Sequence, residues 1–255
     1  MMKKTFLSPS TINLHEDCPR CFYLHMKHEI KRPRGPMPSI AIGMDSVLKK
    51  HFNYYRQSGE LPPVLKKFME GSLIKFLKPT YFHDISKGYC LLGKLDDCLV
   101  CRDGTHSPLD HKTRANPTDY IHPTYQLQME IYSILLNGNG LPANGLAYLI
   151  YYCPEKMLPG EEEKIDFITD IKRVDIDLAH GEKAIERAIG CLEGNVLPEA
   201  SPKCEYCRWV KNAGSLPASG NKELRQEEKT GMPVKNTQAD EEEKEPEKEY
   251  KDSLF

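Results

Sequence analysis

The apolar and polar positions along the chain read first as helices and then, from about a third of the way in, as strands. Ser8 followed by Pro9 is a helix opening, an N-cap with proline at the first helical position. The helix it starts carries Ile12, Leu14, Cys18, Cys21 and Phe22 and is expected to end near His28. Pro33, Gly35, Pro36 and Pro38 then force a loop. Val47, Leu48, His51, Phe52 and Tyr55 fall roughly on one side of a helix over Met44–Arg56, and a further helix is expected after Pro62-Pro63, through Leu73–Leu77. From Tyr81 the pattern is that of strands. Tyr89–Cys101 and Thr105–Thr113 are separated by Arg102-Asp103-Gly104, and Asp-Gly between two such runs is a hairpin signal. An amphipathic helix over Tyr120–Leu136 ends on Gly138-Asn139-Gly140, strands follow at Gly145–Cys153 and Glu163–Ile176, and a last helix covers Ala179–Leu192. This order predicts an α/β (α+β) sandwich, a central mixed sheet flanked by helices with an added N-terminal helical region.

Composition adds an asymmetry. The formal charge of the 255 residues is −2. From Asn221 onward there are seven basic and eleven acidic residues, so the rest of the chain is slightly basic, most of all in its first fifty residues with the run Lys27–Arg34. Such a body tolerates a polyanion and such a tail does not. After Cys207 the body is expected to end, because Gly214–Gly220 is small and polar and Glu241–Glu249 is a charge block that cannot bury a core. No stretch approaches the ~20 apolar residues of a membrane span, and no apolar segment follows the basic start MMKKTFLSPS as in a secretion signal. Nine cysteines without such a signal point to a reducing, cytoplasmic setting, where paired cysteines read as metal ligands before disulfides.

The chemistry is concentrated on the hairpin. Asp96, closing Gly93-Lys94-Leu95-Asp96, is expected on its first strand, and Asp110 and Lys112 lie two apart on its second, sharing a face from which His111 points away. Two strand-borne carboxylates side by side are hard oxygen ligands of the kind Mg²⁺ takes, with other positions left to water and phosphate. A lysine beside them can orient water or stabilise charge developing on a phosphate. An Asp-x-Lys triplet alone is usually a solvated face with an ion pair. Gln128 and Tyr132, at i, i+4 on the following helix, share a face; Tyr132 as core and Gln128 as a boundary residue is the alternative.

Taken in order, Gly-x-x-Asp (Gly93–Asp96), Asp-His-Lys-Thr (Asp110–Thr113) and Gln-x-x-x-Tyr (Gln128–Tyr132) resemble the motif series of RecB-like PD-(D/E)XK nucleases, including AddB-type and CRISPR-associated exonucleases. The opening Ser8-Pro9-Ser10 through Cys18-Pro19 and Phe22-Tyr23 is similar to the start of those domains, so the resemblance covers residues 5–212 and leaves 213–255 as a disordered acidic tail. It implies a restriction-endonuclease-like core and a Mg²⁺- or Mn²⁺-dependent deoxyribonuclease, an exonuclease of repair, recombination or phage replication. Asp96 and Asp110 would hold metal, Lys112 would be catalytic, and Gln128 and Tyr132 would support the site and contact DNA. Many such members also carry a metal-binding histidine on an early helix after a glycine. Here Met44-Asp45 follows Gly43, leaving Asp45 as a possible ligand or His51 two turns on. The competing expectation is a nucleic-acid-binding module that keeps this fold without turnover.

Cys18-x-x-Cys21 and Cys204-x-x-Cys207 are paired-thiol knuckles at opposite ends of the body, a metal signature that would staple the N-terminal helix to the C-terminal end of the domain. The resemblance implies a four-iron four-sulfur cluster with one early and three late cysteines; this chain has two and two, and Zn²⁺ is the alternative. Cys90, Cys98, Cys101, Cys153 and Cys191 read as small buried hydrophobes. The chain ends Asp252-Ser253-Leu254-Phe255 behind an acidic linker, similar to the peptides with which replication proteins dock on a sliding clamp; a helicase is the other partner considered.

Overall fold

In a computed structural model of the chain, residues 4–33, 35, 39–86, 88–155 and 165–216 are described. The Asp252–Phe255 peptide and the tail from residue 217 onward lie outside them, whereas 213 and 214, expected in the tail, close a helix. A short strand β1 (Thr5–Leu7) leads into α1 (Pro9–Asp17). The Thr11 N–H donates to Ser8 Oγ at 3.2 Å while the Ser8 N–H donates to Thr11 Oγ1 at 2.8 Å, a reciprocal cap. The single helix expected through His28 is in fact two. Pro19 has no N–H to give, and the residue before a proline is driven out of the helical region. Cys18 is therefore extended (φ −159°, ψ 105°), and α2 (Pro19–His28) starts afresh.

Helix α3 (Ser39–Ser58) is longer than the pattern suggested. The helix expected through Leu77 stops as α4 (Pro63–Lys66), and β2 (Ser72–Leu73) takes its place as an edge strand on Leu99 and Val100. Glycine decides this: Gly71 has φ +130°, and a Cβ there would stand 2.3 Å from the Val100 carbonyl oxygen. Strand β3 (Tyr81–Ser86) follows. The run expected as one strand from Tyr89 to Cys101 is divided into β4 (Tyr89–Gly93) and β5 (Asp97–Val100), with Lys94-Leu95-Asp96 outside both. Then come β6 (His106–Thr113), α5 (Pro123–Gly138), β7 (Leu146–Pro154), β8 (Phe167–Asp175), α6 (Leu178–Glu193) and α7 (Glu205–Gly214).

The break at 94–96 separates two sheets. β1, β4 and β3 form one, in that order; β2, β5, β6, β7 and β8 form the other. The second sheet is mixed, with β6 and β7 parallel and its other pairs antiparallel, and the β5–β6 hairpin turns at Gly104 (φ +79°) as Asp-Gly foretold. Alternation divides its two faces cleanly. Leu149, Tyr151 and Cys153 join the core under α5 and α6, whereas Leu99, Leu109, Ile150 and Tyr152 pack with Phe52 of α3. Among the five unpaired cysteines Cys90, Cys98 and Cys153 are buried, while Cys101 and Cys191 are half-buried. No helix among the described residues is long and apolar enough to cross a membrane.

Helix α3 is tied to this sheet by an ion pair as well as by apolar packing. Arg56 meets the Asp97 carboxylate with both guanidinium nitrogens, at 3.0 and 2.8 Å, and donates to the Ile74 carbonyl at 3.2 Å. Burial pushes the Asp97 carboxyl up, against the pull of Arg56. Breaking such a buried pair on one side leaves the other charge uncompensated. Arg56→Met should cost about 3–5 kcal/mol in urea unfolding, and Arg56→Met with Asp97→Leu should recover most of that loss.

Candidate active site

Asp97 pairs with Leu109 across the β5–β6 hairpin, and the antiparallel register carried one residue further sets Asp96 opposite Asp110. Asp96 is not inside a strand, as its motif position had suggested; it lies at the step from one sheet to the other. It is held there by its Oδ2, which accepts the backbone N–H of His111 at 3.2 Å. Asp110 is 2% exposed, and burial pushes its carboxyl up to about 6, with Lys112 opposing and Asp96 adding to the rise.

Lys112 forms an ion pair with Asp110 on the same face of β6. Helix α5 closes over both. The Gln128 amide nitrogen donates to Asp110 Oδ1 at 2.9 Å and to the Tyr132 hydroxyl at 2.9 Å, while its oxygen accepts from Lys112 Nζ at 3.2 Å. The Tyr132 hydroxyl donates to the Lys94 carbonyl at 2.8 Å, reaching the sheet-to-sheet step itself. The structure thus gathers Asp96, Asp110, Lys112, Gln128 and Tyr132 in one connected set. Gly93, the first residue of the Gly-x-x-Asp motif, has a spatial role: a Cβ on it would lie 2.5 Å from Leu135 and 3.2 Å from the Tyr132 ring. The bare backbone lets α5 approach.

Asp45 is paired with Lys49 at 2.7 Å on α3, and both it and Asp96 act on the His111 imidazole. His51 packs edge-on against Phe52 and Tyr55. His111 points away from Asp110, as strand alternation requires, to ring contact with Phe52 at 4.4 Å and to the Tyr152 hydroxyl at 3.2 Å; burial holds its imidazole down at about 4. Three neighbours escaped the sequence reading. Tyr125 lies under Lys112 Nζ at 4.7 Å, Arg56 anchors Asp97, and buried Glu130 bonds Gln126 at 2.8 Å and His180 at 2.6 Å, joining α5 to α6. Tyr125 lies three residues before Gln128, a spacing that shares its helix face and was the one local signal available.

A family model described as the PD-(D/E)XK nuclease superfamily matches residues 69–211, more than half of the chain. The chain belongs to that superfamily. The match takes in β2 to α6 and most of α7, and leaves β1 and α1 to α4 outside. No curated protein matches this nuclease-superfamily chain. Among solved structures it is similar to the crystal structure of SSO0001, with a TM-score of 0.44 at 16% identity, over 87% of this chain and 90% of that one. Likeness at that level adds nothing to the family assignment. PD-(D/E)XK nucleases use divalent metals, and the residues here suit one: both carboxylates are hard oxygen donors, and buried Asp110 Oδ2 has no hydrogen-bond partner despite its pairing with Lys112.

The second centre brings the two ends of the domain together. Cys18, Cys21, Cys204 and Cys207 place their sulfurs all within 4.8 Å of one another, a set that can hold a metal. Cys21 lies 3.5 Å from Cys207 and 3.6 Å from Cys204, and Cys18 lies 3.9 Å from Cys207. Burial opposes ionisation of Cys18, but the N–H groups of Cys21 and Ser201 together with the thiols of Cys204 and Cys21 outweigh it and bring the thiol down to about 7. Arg32, paired with Asp17, reaches Cys204 Sγ at 3.3 Å, a cation beside thiolates that its place in the basic run did not reveal.

The tight seat at Gly93 gives a direct check. Gly93→Ala should lower the urea midpoint by an overpacking cost of about 1–3 kcal/mol. It should also displace the Tyr132 ring, to be read from the tyrosine near-ultraviolet signal; an unchanged midpoint and signal would mean that α5 is not seated on Gly93.

Proposed function

We propose that this chain is a RecB-like, Mg²⁺- or Mn²⁺-dependent deoxyribonuclease that hydrolyses phosphodiester bonds, acting from ends. The observation that carries the reading is the facing pair Asp96 and Asp110 with Lys112 beside them, latched by Gln128 and Tyr132. In this reading Asp96 and Asp110 hold the divalent ion, which when bound polarises the scissile phosphate and makes water a better nucleophile. Asp110 Oδ1 is engaged by Gln128, and Oδ2, which faces Lys112 Nζ without a well-formed hydrogen bond, is the oxygen a cation would take. Lys112 Nζ, fixed among Asp110, Gln128 and the Tyr125 ring, is a positioned cation for the charge that grows on the phosphate oxygens. Tyr132 acts through Gln128, and its hydroxyl keeps Asp96's loop in place by its bond to Lys94.

The four cysteines have a structural role in this reading, clasping the start of α2 to the start of α7. Thiolates about 2.3 Å from one tetrahedral ion stand about 3.8 Å apart. Three sulfur separations of 3.5 to 3.9 Å, with all four sulfurs within 4.8 Å of one another, support Zn²⁺. A four-iron cluster binds each cysteine to a different iron and needs a wider set. Metal analysis of anaerobically purified protein should find about one zinc per chain by the four-thiolate rule; broad visible absorption with stoichiometric iron would instead identify the cluster.

The activity is tested on end-labelled linear and circular DNA with Mg²⁺, Mn²⁺ or EDTA. Linear DNA should be lost only with metal, circular DNA spared, and both Asp110→Ala and Lys112→Ala should abolish cleavage with the melting transition retained. Wild-type cleavage in either variant would refute the mechanism, and DNA binding without any cleavage would identify a degenerate module. Because a proton on Asp110 competes with the ion, Mn²⁺ affinity should weaken as pH falls below about 6, by about tenfold per unit.

A further inference from the structure

On the α3 side of Asp96 lies a cleft of about 440 Å³, a size in the range of ligand sites. It runs between α3 and the segment after β2, and its walls carry Lys49, Lys75, Lys78 and Lys94 together with Phe76. Two of these lysines are engaged: Lys49 with Asp45, and Lys78 with Asn139 at 3.0 Å. Lys75 and Lys94 are exposed and have no carboxylate partner among the described residues. Phe76 is 76% exposed and makes no ring contact among the described residues. A phenyl group turned out to water between lysines, at the edge of a carboxylate site, loses apolar contact unless something flat covers it.

We infer that this cleft holds an unpaired nucleic-acid strand, with a base stacked on Phe76 and the backbone on Lys75 and Lys94. The inference rests on the nuclease reading for its choice of nucleic acid, and it adds the strandedness that reading leaves open. Phosphates need cations, and successive bases present flat faces only when they are not stacked in a duplex. A duplex shows its grooves and backbone instead, so Phe76 would have to unstack it at a cost of a few kcal/mol per step. Lys94 precedes Asp96 by two residues and its carbonyl is fixed by Tyr132, so a phosphate on Lys94 is brought to the edge of the carboxylate pair.

The test is fluorescence anisotropy of full-length Asp110→Asn protein in EDTA, with a labelled single-stranded oligonucleotide and its blunt duplex. Single strands should bind more tightly than duplex. Phe76→Ala should weaken single-strand binding by about 5- to 150-fold and leave duplex binding nearly unchanged, and Phe76→Trp should restore it. Lys75→Ala and Lys94→Ala should each reduce the slope of log affinity against log salt by about 0.7. Single-strand binding that is indifferent to Phe76, or equal Phe76-dependent losses for both substrates, would overturn the inference. Binding is read without turnover, so a failure of cleavage alone would count against the nuclease reading and leave this result standing.

Discussion

Two carboxylates set opposite each other on neighbouring chain segments repel, and burying one of them makes the repulsion worse. Here Asp110 is buried and lies opposite Asp96, and the fold meets the strain from three sides. Lys112 supplies a positive charge, Gln128 a hydrogen bond to one oxygen of Asp110, and the His111 N–H a hydrogen bond to Asp96. None of these engages Asp110 Oδ2 in a well-formed hydrogen bond. A carboxylate pair held this close, with one oxygen lacking a hydrogen bond, is an arrangement that a cation would relieve of its repulsion. The same arrangement without one stores unfavourable charge for no structural return.

Much of the architecture follows from keeping that pair in place. The break at Lys94–Asp96 moves the chain from the three-stranded to the five-stranded sheet, and a break is the least constrained place for one member of a carboxylate pair. Helix α5 compensates by spanning it. Tyr132 reaches the Lys94 carbonyl, Gln128 reaches Asp110, and Gly93 leaves space for the helix to come down between them. On the opposite face Arg56 fixes Asp97, so the residues on both sides of the peptide bond between Asp96 and Asp97 are anchored in opposite directions. The cysteine quartet ties the N-terminal helices to α7 in the same spirit. Apolar packing alone would not set the angle between such short helices.

Several local features were legible in the sequence because the residues responsible act on their own neighbours. Ser8-Pro9 opened a helix, Asp103-Gly104 turned a hairpin, and alternation put Asp110 and Lys112 on one face and His111 on the other. The Gln128–Tyr132 spacing predicted a shared helix face, and both side chains do point at the same site. The readings that failed did so where a local pattern competed with a distant partner. An apolar run hid the break between β4 and β5, because both halves are buried and a buried strand shows no alternation. The expected helix through Leu77 gave way to an edge strand, because Ser72 and Leu73 find backbone partners in Leu99 and Val100.

The sequence by itself determined the broad order of helices, hairpin, helix, strands and helix, the three motifs and the two cysteine knuckles, since each depends on spacing along one strand, helix or turn. Only the tertiary structure decided which groups meet. It paired Asp96 with Asp110 through hairpin register, set Arg56 on Asp97, left Asp45 to Lys49, brought Arg32 to the thiols, and turned Phe76 outward beside Asp96. Those outcomes depend on how separately formed elements pack against one another, and the strength of a charge pair or the burial of a carboxylate exists only once that packing has excluded water.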